Sequence, residues 1–406
     1  MRTKSFFHFQ KFFSGIGIIS IIKVTSRVTG SFQEIIHSFF ATSNFNIIPY
    51  KPEIFFLLTL FSSILLSCSE NKGEDKLTPE EYLSSTTISK PAEEKIEIPP
   101  DIFPKINYTR TVIKNRKHLA NLLAKFGENR ALKTLNRKEY RFFRVGDTIV
   151  VPDTILNDIR AYSAFPEFYP RAAKIKKIII VSNKFQCYAC YEFGKLVRFA
   201  AVNSGKERTP SYPGRYALVW RERMHLSSLD SSWKMPFTWN FHSEAGNAFH
   251  QFEMPGRPVS HSCVRQFLED SEWLYYWGEG IKKDSLKRRI TLSGTPVLII
   301  DIFNFTRKRG GPWLEIKSNK DSIFNLPADP MNYEEALIPW CQIPKDSRGS
   351  LRDRKRFLFA EDTLRARGII RPGVKLIETQ DFNKKRREKA RREAKKKELE
   401  KKQDVQ

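Results

Sequence analysis

The alternation of apolar and polar positions divides the chain into stretches of different character. Residues 54–66, IFFLLTLFSSILL, form an apolar run of thirteen behind Lys51. That is too short for a confident membrane span, which takes about 20 residues, and suits the core of a signal peptide. An earlier apolar stretch, 12–24, is broken by Gly15, Gly17 and Lys23. From 112 to 152 the pattern predicts a β-α-α-β unit. Residues 119–126 form a helix that stops at Gly127, a residue suited to a helix C-cap. Residues 130–135 form a second helical run ending at Asn136, and 142–152 make a turn feeding a strand. From 175 onward the chain is β-rich, with strands over 178–182, 187–193 and 196–203 and a turn at Gly194-Lys195. Gly and Pro between 204 and 214 mark loops. A helix follows over 267–278 and a closing strand over 294–300. Residues 349–357 and 359–366 look helical. Residues 383–402 are helical by propensity, but their only apolar positions are Ala390, Ala394 and Leu399, which predicts a solvated charged helix or tail.

Composition sharpens this outline. With 406 residues, 40% of them apolar, the chain has room for two or three domains with a real core. Its net charge of +25 is uneven, since 383–402 hold twelve Lys/Arg against four Glu. Such a balance suits an anionic partner: nucleic acid, anionic lipid or anionic wall polymer. No nucleic-acid-binding motif is present, which sets the first aside. Residues 69–105, rich in Glu, Lys, Pro and Thr, read as a linker.

The five cysteines, at 68, 187, 190, 263 and 341, are too few for a disulfide scaffold. Cys187 and Cys190 lie three apart on a strand and so face opposite sides of a sheet. Without a second CxxC they predict packing rather than a metal site. Cys341 reads as structural. Cys263 differs: it lies in Ser260-His261-Ser262-Cys263-Val264-Arg265, with His250 thirteen residues upstream. One cysteine with two nearby histidines is the minimum kit for thiol acyl transfer. A thiol is mostly protonated near neutrality and needs a base or a cationic neighbour. Imidazole titrates in the working range.

Three resemblances extend this reading. Leu65-Leu66-Ser67-Cys68, followed by polar residues 69–75, resembles the lipobox of bacterial lipoproteins. It implies cleavage before Cys68 and lipidation of that residue. Residues 1–50 then precede a signal peptide, which implies either translation from near residue 50 or an N-terminal membrane segment. Both place the rest of the chain outside the cytoplasm. The βααβ outline, closing in Gly146-Asp147-Thr148-Ile149-Val150-Val151-Pro152, resembles LysM domains, which bind the glycan of wall polymers. A helical hairpin packed on the main domain is the alternative.

The stretch from about 175 to 302 resembles the L,D-transpeptidase (YkuD-type) catalytic domain. Four blocks carry the likeness: Asn203-Ser204-Gly205; Thr209-Pro210 through Pro213-Gly214-Arg215-Tyr216; His250 with the Ser260–Arg265 motif; and Gly294-Thr295-Pro296-Val297. Ser262 stands where the family has glycine, and Gln251 where glycine is usual. The resemblance implies a mainly β fold with helices (α+β): an L,D-transpeptidase-like β-sandwich, preceded by the LysM-like module and followed by a helical, basic extension. Cys263 would be the nucleophile and His250 the proton donor and acceptor, while His261 would orient the loop. Backbone N–H groups at Ser262 and Cys263 would form an oxyanion hole at a turn before a helix. Arg265, Ser262, Ser260 and Gln251 would bind substrate. Cys263 would attack the third residue of a peptidoglycan tetrapeptide stem and release D-alanine, leaving a thioester. An amine of a neighbouring stem would resolve it to a 3→3 cross-link, a protein amine would tether that protein to the wall, and water would make the enzyme an L,D-carboxypeptidase. No cofactor or metal is expected. A non-catalytic peptidoglycan-binding lipoprotein is the remaining alternative, motivated by Ser262.

The expected organisation is therefore an N-terminal extension and signal peptide (1–67), linker (68–105), LysM-like module (106–154), catalytic domain (175–302), C-terminal extension (303–380) and basic tail (381–406). The expected partners are peptidoglycan stem peptides, glycan and, through the anchor, a membrane. The expected location is the periplasmic side of the cell envelope, on the outer membrane in a Gram-negative cell.

Overall fold

The computed structural model describes residues 97–307 and 310–403. The apolar run 54–66, Cys68 and the linker as far as 96 lie outside the described residues. The first elements are β1 (Tyr108–Val112), α1 (Arg116–Phe126), α2 (Ala131–Leu135) and β2 (Thr148–Pro152). β1 and β2 pair antiparallel, Tyr108 opposite Pro152. The Asn115 side chain caps α1 by accepting the His118 N–H, and Gly127, at φ +48°, ends the helix with its own N–H on the Leu123 carbonyl.

A single nine-stranded sheet forms the centre. Its strands are β3 (Ile178–Ser182), β4 (Cys187–Glu192), β5 (Lys195–Asn203), β6 (Gly214–Ala217), β7 (Trp220–Leu226), β8 (Lys234–His242), β9 (Asn247–Gln251), β10 (Val264–Gln266) and β11 (Pro296–Ile299). Their spatial order is β6-β11-β3-β4-β5-β10-β9-β8-β7. Helix α3 (Leu268–Trp277) follows β10, and α4 (Arg354–Ala366) and α5 (Phe382–Gln403) come after the sheet.

The period of two sorts the central strands into two cores. Ile178, Ile180, Cys187, Ala189 and Phe199 face a core shared with Ile106, Leu132, Phe143 and Val150 of the βααβ segment. Ile179, Val181, Tyr188, Cys190 and Ala200 face a second core with Trp239, Phe241, Phe249 and Leu274. Cys187 and Cys190 thus point to opposite faces, both fully buried. The expected sandwich is one curled sheet rather than two stacked sheets. β5 pairs with β4 along residues 195–201 and with β10 through Val202 and Asn203, so hydrogen bonding continues around the bend. Tyr188 of one half meets Phe249 of the other at 5.9 Å across the second core.

Polar groups fix the βααβ segment to this sheet. Arg137, buried and at φ +57°, donates to the carbonyls of Thr134, Leu135 and Phe185. Asp270 of α3, fully buried, takes Arg130 and Arg198 each at 2.6 Å. The C-terminal extension closes the second core with Ile338, Ile343, Leu351, Leu364 and Ile370.

Candidate active site

β9 and β10 run parallel with His250 opposite Arg265 and Phe249 opposite Val264. Alternation sends Phe249 and Val264 into the second core, where both are fully buried. It leaves Ala248, His250, Cys263 and Arg265 on the other face. These four line one cavity of about 400 Å³, with Ser260 and His261 at its edge. Two strands with one register therefore bring together residues that the sequence separates by thirteen positions.

The cysteine loop is braced from beneath by residues 204–211. Gly205 bridges to Ser260, and the Ser204 carbonyl accepts the N–H groups of Val259 (3.0 Å) and Ser260 (3.1 Å). Thr209 Oγ1 donates to the Ser260 carbonyl at 3.0 Å. Ser211 Oγ accepts the Gly205 N–H and donates to the Ser262 carbonyl at 2.7 Å. A Cβ on Gly205 would run into the backbone of Thr209 and Ser211, so glycine is required there. Gln186 holds Ser204 by two hydrogen bonds, giving Ser204 a structural place.

Ser262 has φ +85°, in the region that favours glycine. The loop thus keeps the backbone that a glycine would adopt, with a serine in it. Its hydroxyl donates to Asn247 Oδ1 at 2.7 Å and it does not line the main cavity, which argues against direct substrate binding through that side chain. The Ser260 hydroxyl likewise donates to the Cys263 carbonyl. Gln251 is turned to the other face of its strand; its carbonyl, not its side chain, serves the site by accepting from His250 Nδ1 at 2.9 Å. Because a carbonyl only accepts, Nδ1 carries the proton and Nε2 is left as the acceptor. Burial holds His250 down to about 4. Cys263 Sγ lies 3.8 Å from the Gly246 carbonyl, and burial pushes the thiol up, against lowering by the Ala248 backbone and the Arg265 charge.

His261 Nε2 faces Lys206 Nζ at 3.1 Å, and an ammonium can only donate. Burial first, then the Lys206 and Arg265 charges, hold His261 down to about 4, so it is neutral and orients rather than supplies charge. Burial also lowers Arg265 and Lys206. Arg265 stands over the Phe252 ring at 4.5 Å and donates to the Glu253 carbonyl at 3.3 Å. Among the described residues no carboxylate forms an ion pair with it. Lys206 had no signal in the sequence, because the register of its loop on the cysteine loop is set by tertiary contacts. A second correction concerns the expected turn before a helix. β10 and Phe267 separate Cys263 from α3, so the cysteine loop leads into a strand rather than directly into a helix. The N–H groups of His261, Ser262 and Cys263 have no hydrogen-bond partners among the described residues and are free backbone donors at the thiol.

The other aromatics and histidines near the site divide. Trp239 and Phe241 are core residues. Trp233 lines the cavity, its ring 5.0 Å from His261. His225 lines the cavity from β7 and bonds Glu222. His242 lies outside it, beside Phe357. Among the described residues, no group of His, Cys, Asp and Glu is arranged to hold a metal ion.

A partly exposed thiol, a neutral imidazole and a guanidinium without an ion pair among the described residues surround one cavity, the kinds of group that thiol acyl transfer uses. Residues 176–299 match the model of the L,D-transpeptidase catalytic domain (YkuD), so this part of the chain is such a domain. Among solved structures, an L,D-transpeptidase from Stackebrandtia nassauensis aligns at 22% identity, covering 36% of this chain and 63% of that one, with a TM-score of 0.28. One from Xylanimonas cellulosilytica aligns at 21% identity over 50% of this chain and 100% of that one (TM-score 0.27). One from Mycobacterium smegmatis aligns at 13% identity over 31% and 59% (TM-score 0.26). The chain thus spans less than two thirds of the Stackebrandtia and Mycobacterium chains. A comparison with curated proteins gives no match.

Proposed function

We propose that the protein is a peptidoglycan L,D-transpeptidase that forms 3→3 cross-links, or attaches a protein to the wall, through a thioester on Cys263. The observation that carries the reading is the placement of Cys263 and His250 on one face of the β9–β10 pair, lining one cavity inside a segment that matches the catalytic-domain model. The thiol proton passes to His250 Nε2 as Sγ bonds to the carbonyl carbon of the third stem residue. The bond to D-alanine then breaks and His250 returns the proton to the leaving amine. An acceptor amine, deprotonated by His250, attacks the thioester carbonyl, and the sulfur leaves and regains its proton. The N–H groups of Ser262 and Cys263 stabilise the oxyanion, and Arg265 takes a stem carboxylate through its free donors. With the imidazole held down and the thiol held up, the resting pair is neutral thiol and neutral imidazole. The thiolate forms as attack proceeds, helped by the Arg265 charge.

The left-handed backbone at Ser262 favours an active enzyme over a non-catalytic binder, because the loop keeps its shape despite the missing glycine. Incubating the purified protein with tetrapeptide-bearing muropeptides and analysing products by mass spectrometry tests the reading. Cross-linked dimer supports transfer, and tripeptide alone supports an L,D-carboxypeptidase. Substrate left untouched by both wild type and Cys263→Ala defeats the enzyme reading. The remaining proposals concern placement. Lipidation at Cys68 would anchor the protein on the periplasmic side of the envelope, and the βααβ segment would bind wall glycan. Metabolic labelling with a fatty-acid analogue, lost in Cys68→Ser, tests the anchor.

A further inference from the structure

The cavity that holds Cys263 is walled by the loop between β7 and β8. Ser227, Ser228, Leu229 and Trp233 of that loop line it. Trp233 reaches His261, two residues before the thiol. The loop has short-range bonds of its own: the Ser227 N–H to the Trp233 carbonyl (3.2 Å), the Trp233 N–H to the Asp230 carbonyl (2.9 Å), the Leu229 and Asp230 N–H groups to Ser227 Oγ (3.2 and 3.3 Å), and the Ser232 N–H and hydroxyl to the Asp230 carboxylate. A second set of contacts, to its outward main-chain groups, comes from the C-terminal segment. Asn383 Nδ2 donates to the carbonyls of Ser227 (3.4 Å) and Ser228 (2.9 Å), while its Oδ1 accepts the Ser231 N–H at 2.9 Å. The Asn383 N–H donates to the Leu229 carbonyl at 2.9 Å. Arg386 pairs with Asp230, and the Phe382 ring packs 5.9 Å from Trp233. One asparagine thus engages main-chain groups of Ser227, Ser228, Leu229 and Ser231, and the next turn of α5 takes the Asp230 carboxylate between them.

The segment leading to Asn383 is itself tied down beside the cysteine loop. Arg208 Nε donates to the Lys375 carbonyl, the Ile377 N–H to the Arg208 carbonyl, and the Thr379 N–H to the Cys341 carbonyl, each at 2.9 Å. Ile377, Thr379 and Phe382 share a small cavity with His261 and Ser262. Beyond Arg386 the side chains of α5 as far as Lys395 are exposed, so the clamp is confined to its first two turns.

We propose that residues 375–386 form a strap that holds the 227–233 loop over Cys263, with Asn383 and Arg386 as positioning residues that set access to the thiol. Neither residue lines the catalytic cavity. The strap's meaning for turnover rests on the reading of Cys263 as nucleophile, but its effect on access is measurable without any turnover. The test is the rate at which Cys263 is alkylated in the intact protein, read by peptide mapping, with a small reagent (iodoacetamide) and a bulky one (a fluorescent maleimide). Asn383→Ala with Arg386→Ala should speed maleimide labelling of Cys263 roughly tenfold, equivalent to ~1.4 kcal/mol of easier opening. Iodoacetamide labelling should rise less, and amide exchange across 227–233 should quicken. Arg386→Lys should stay near wild type, and Arg391→Ala with Arg392→Ala, which removes charge from the same helix without touching the loop, should not move either rate. Buried Cys187 and Cys190 report on global unfolding, and where the double variant exposes them the single change Asn383→Ala decides the matter. Labelling of Cys263 that matches the Arg391/Arg392 control, or that rises equally for both reagents, overturns the proposal.

Discussion

Cys187 and Cys263 belong to the same domain, and burial pushes both thiols up, Cys187 to about 12. Each also has a guanidinium whose charge opposes that rise, Arg137 for Cys187 and Arg265 for Cys263. Thiol acidity and a cationic neighbour therefore do not separate a packing cysteine from the proposed nucleophile here. Surroundings do. Cys187 is enclosed in the core between sheet and βααβ segment, whereas Cys263 opens on a cavity with an imidazole whose Nε2 is free to accept. The two guanidiniums differ in the same way. Buried Arg137 directs its donors to three carbonyls, 5.7 Å from the Phe199 ring and 5.9 Å from that of Trp313, while half-buried Arg265 lines the cavity and donates to the Glu253 carbonyl.

The comparison can be broken most decisively at the sulfur. Cys263→Ala should lower product formation by about 10⁴-fold or more. Cys187→Ala should leave turnover standing and cost ~1–2 kcal/mol of stability in urea unfolding. Equal losses from both would erase the distinction. His250→Gln should cost about 10²–10⁴-fold, the range for a general base. In the wild type, His250 stays neutral down to about 4 rather than 6.5, so the acid limb of the activity profile should fall near pH 4. The sign follows for stability as well. A histidine held down in the folded state contributes fully above about 6.5, and its contribution is lost as pH falls toward about 4. A limb near neutrality would assign the proton transfer to another group.

A smaller effect concerns the thiol itself. With its titration above the ordinary value of 9.0, alkylation of Cys263 should rise about tenfold per pH unit between neutrality and pH 9. A plateau already reached at neutral pH would mean a pre-formed thiolate and contradict the neutral resting pair. The smallest effect is at Ser262. Ser262→Gly should relieve left-handed backbone and stabilise the fold by ~1 kcal/mol, as seen in thermal unfolding, with activity within about twofold. Destabilisation would mean that the bond to Asn247 outweighs the strain.

What the sequence made legible follows from locality. Strands β3, β4 and β5 and helix α3 are short apolar or mixed runs bounded by turn residues, and they lie where the pattern predicts, within a residue or so of each end. The opposite facing of Cys187 and Cys190 follows from strand periodicity alone. β7 and β8 were not readable: β7, WRERMHL, is almost wholly exposed, and β8 is buried along most of its length, so neither shows alternation. The cysteine motif marked the loop at the cavity, but its supports did not announce themselves. Lys206 against His261, Ser211 against Ser262 and Asn383 against the 227–233 loop are long-range contacts that no local pattern encodes. Ser262 was visible as a serine in place of glycine. Its consequence, a positive φ retained rather than a loop reshaped, required the backbone.

The proposed mechanism depends on Cys263 being the residue that takes the acyl group. The direct measurement is acid-quenched mass spectrometry of the protein mixed with a tetrapeptide-bearing muropeptide, followed by peptide mapping of all four cysteines beyond residue 100. The expected result is an adduct equal to the substrate less D-alanine on the Cys263 peptide, absent in Cys263→Ala, with Cys187, Cys190 and Cys341 unmodified. An acyl adduct on any other residue, or cross-linked product from Cys263→Ala, would contradict it.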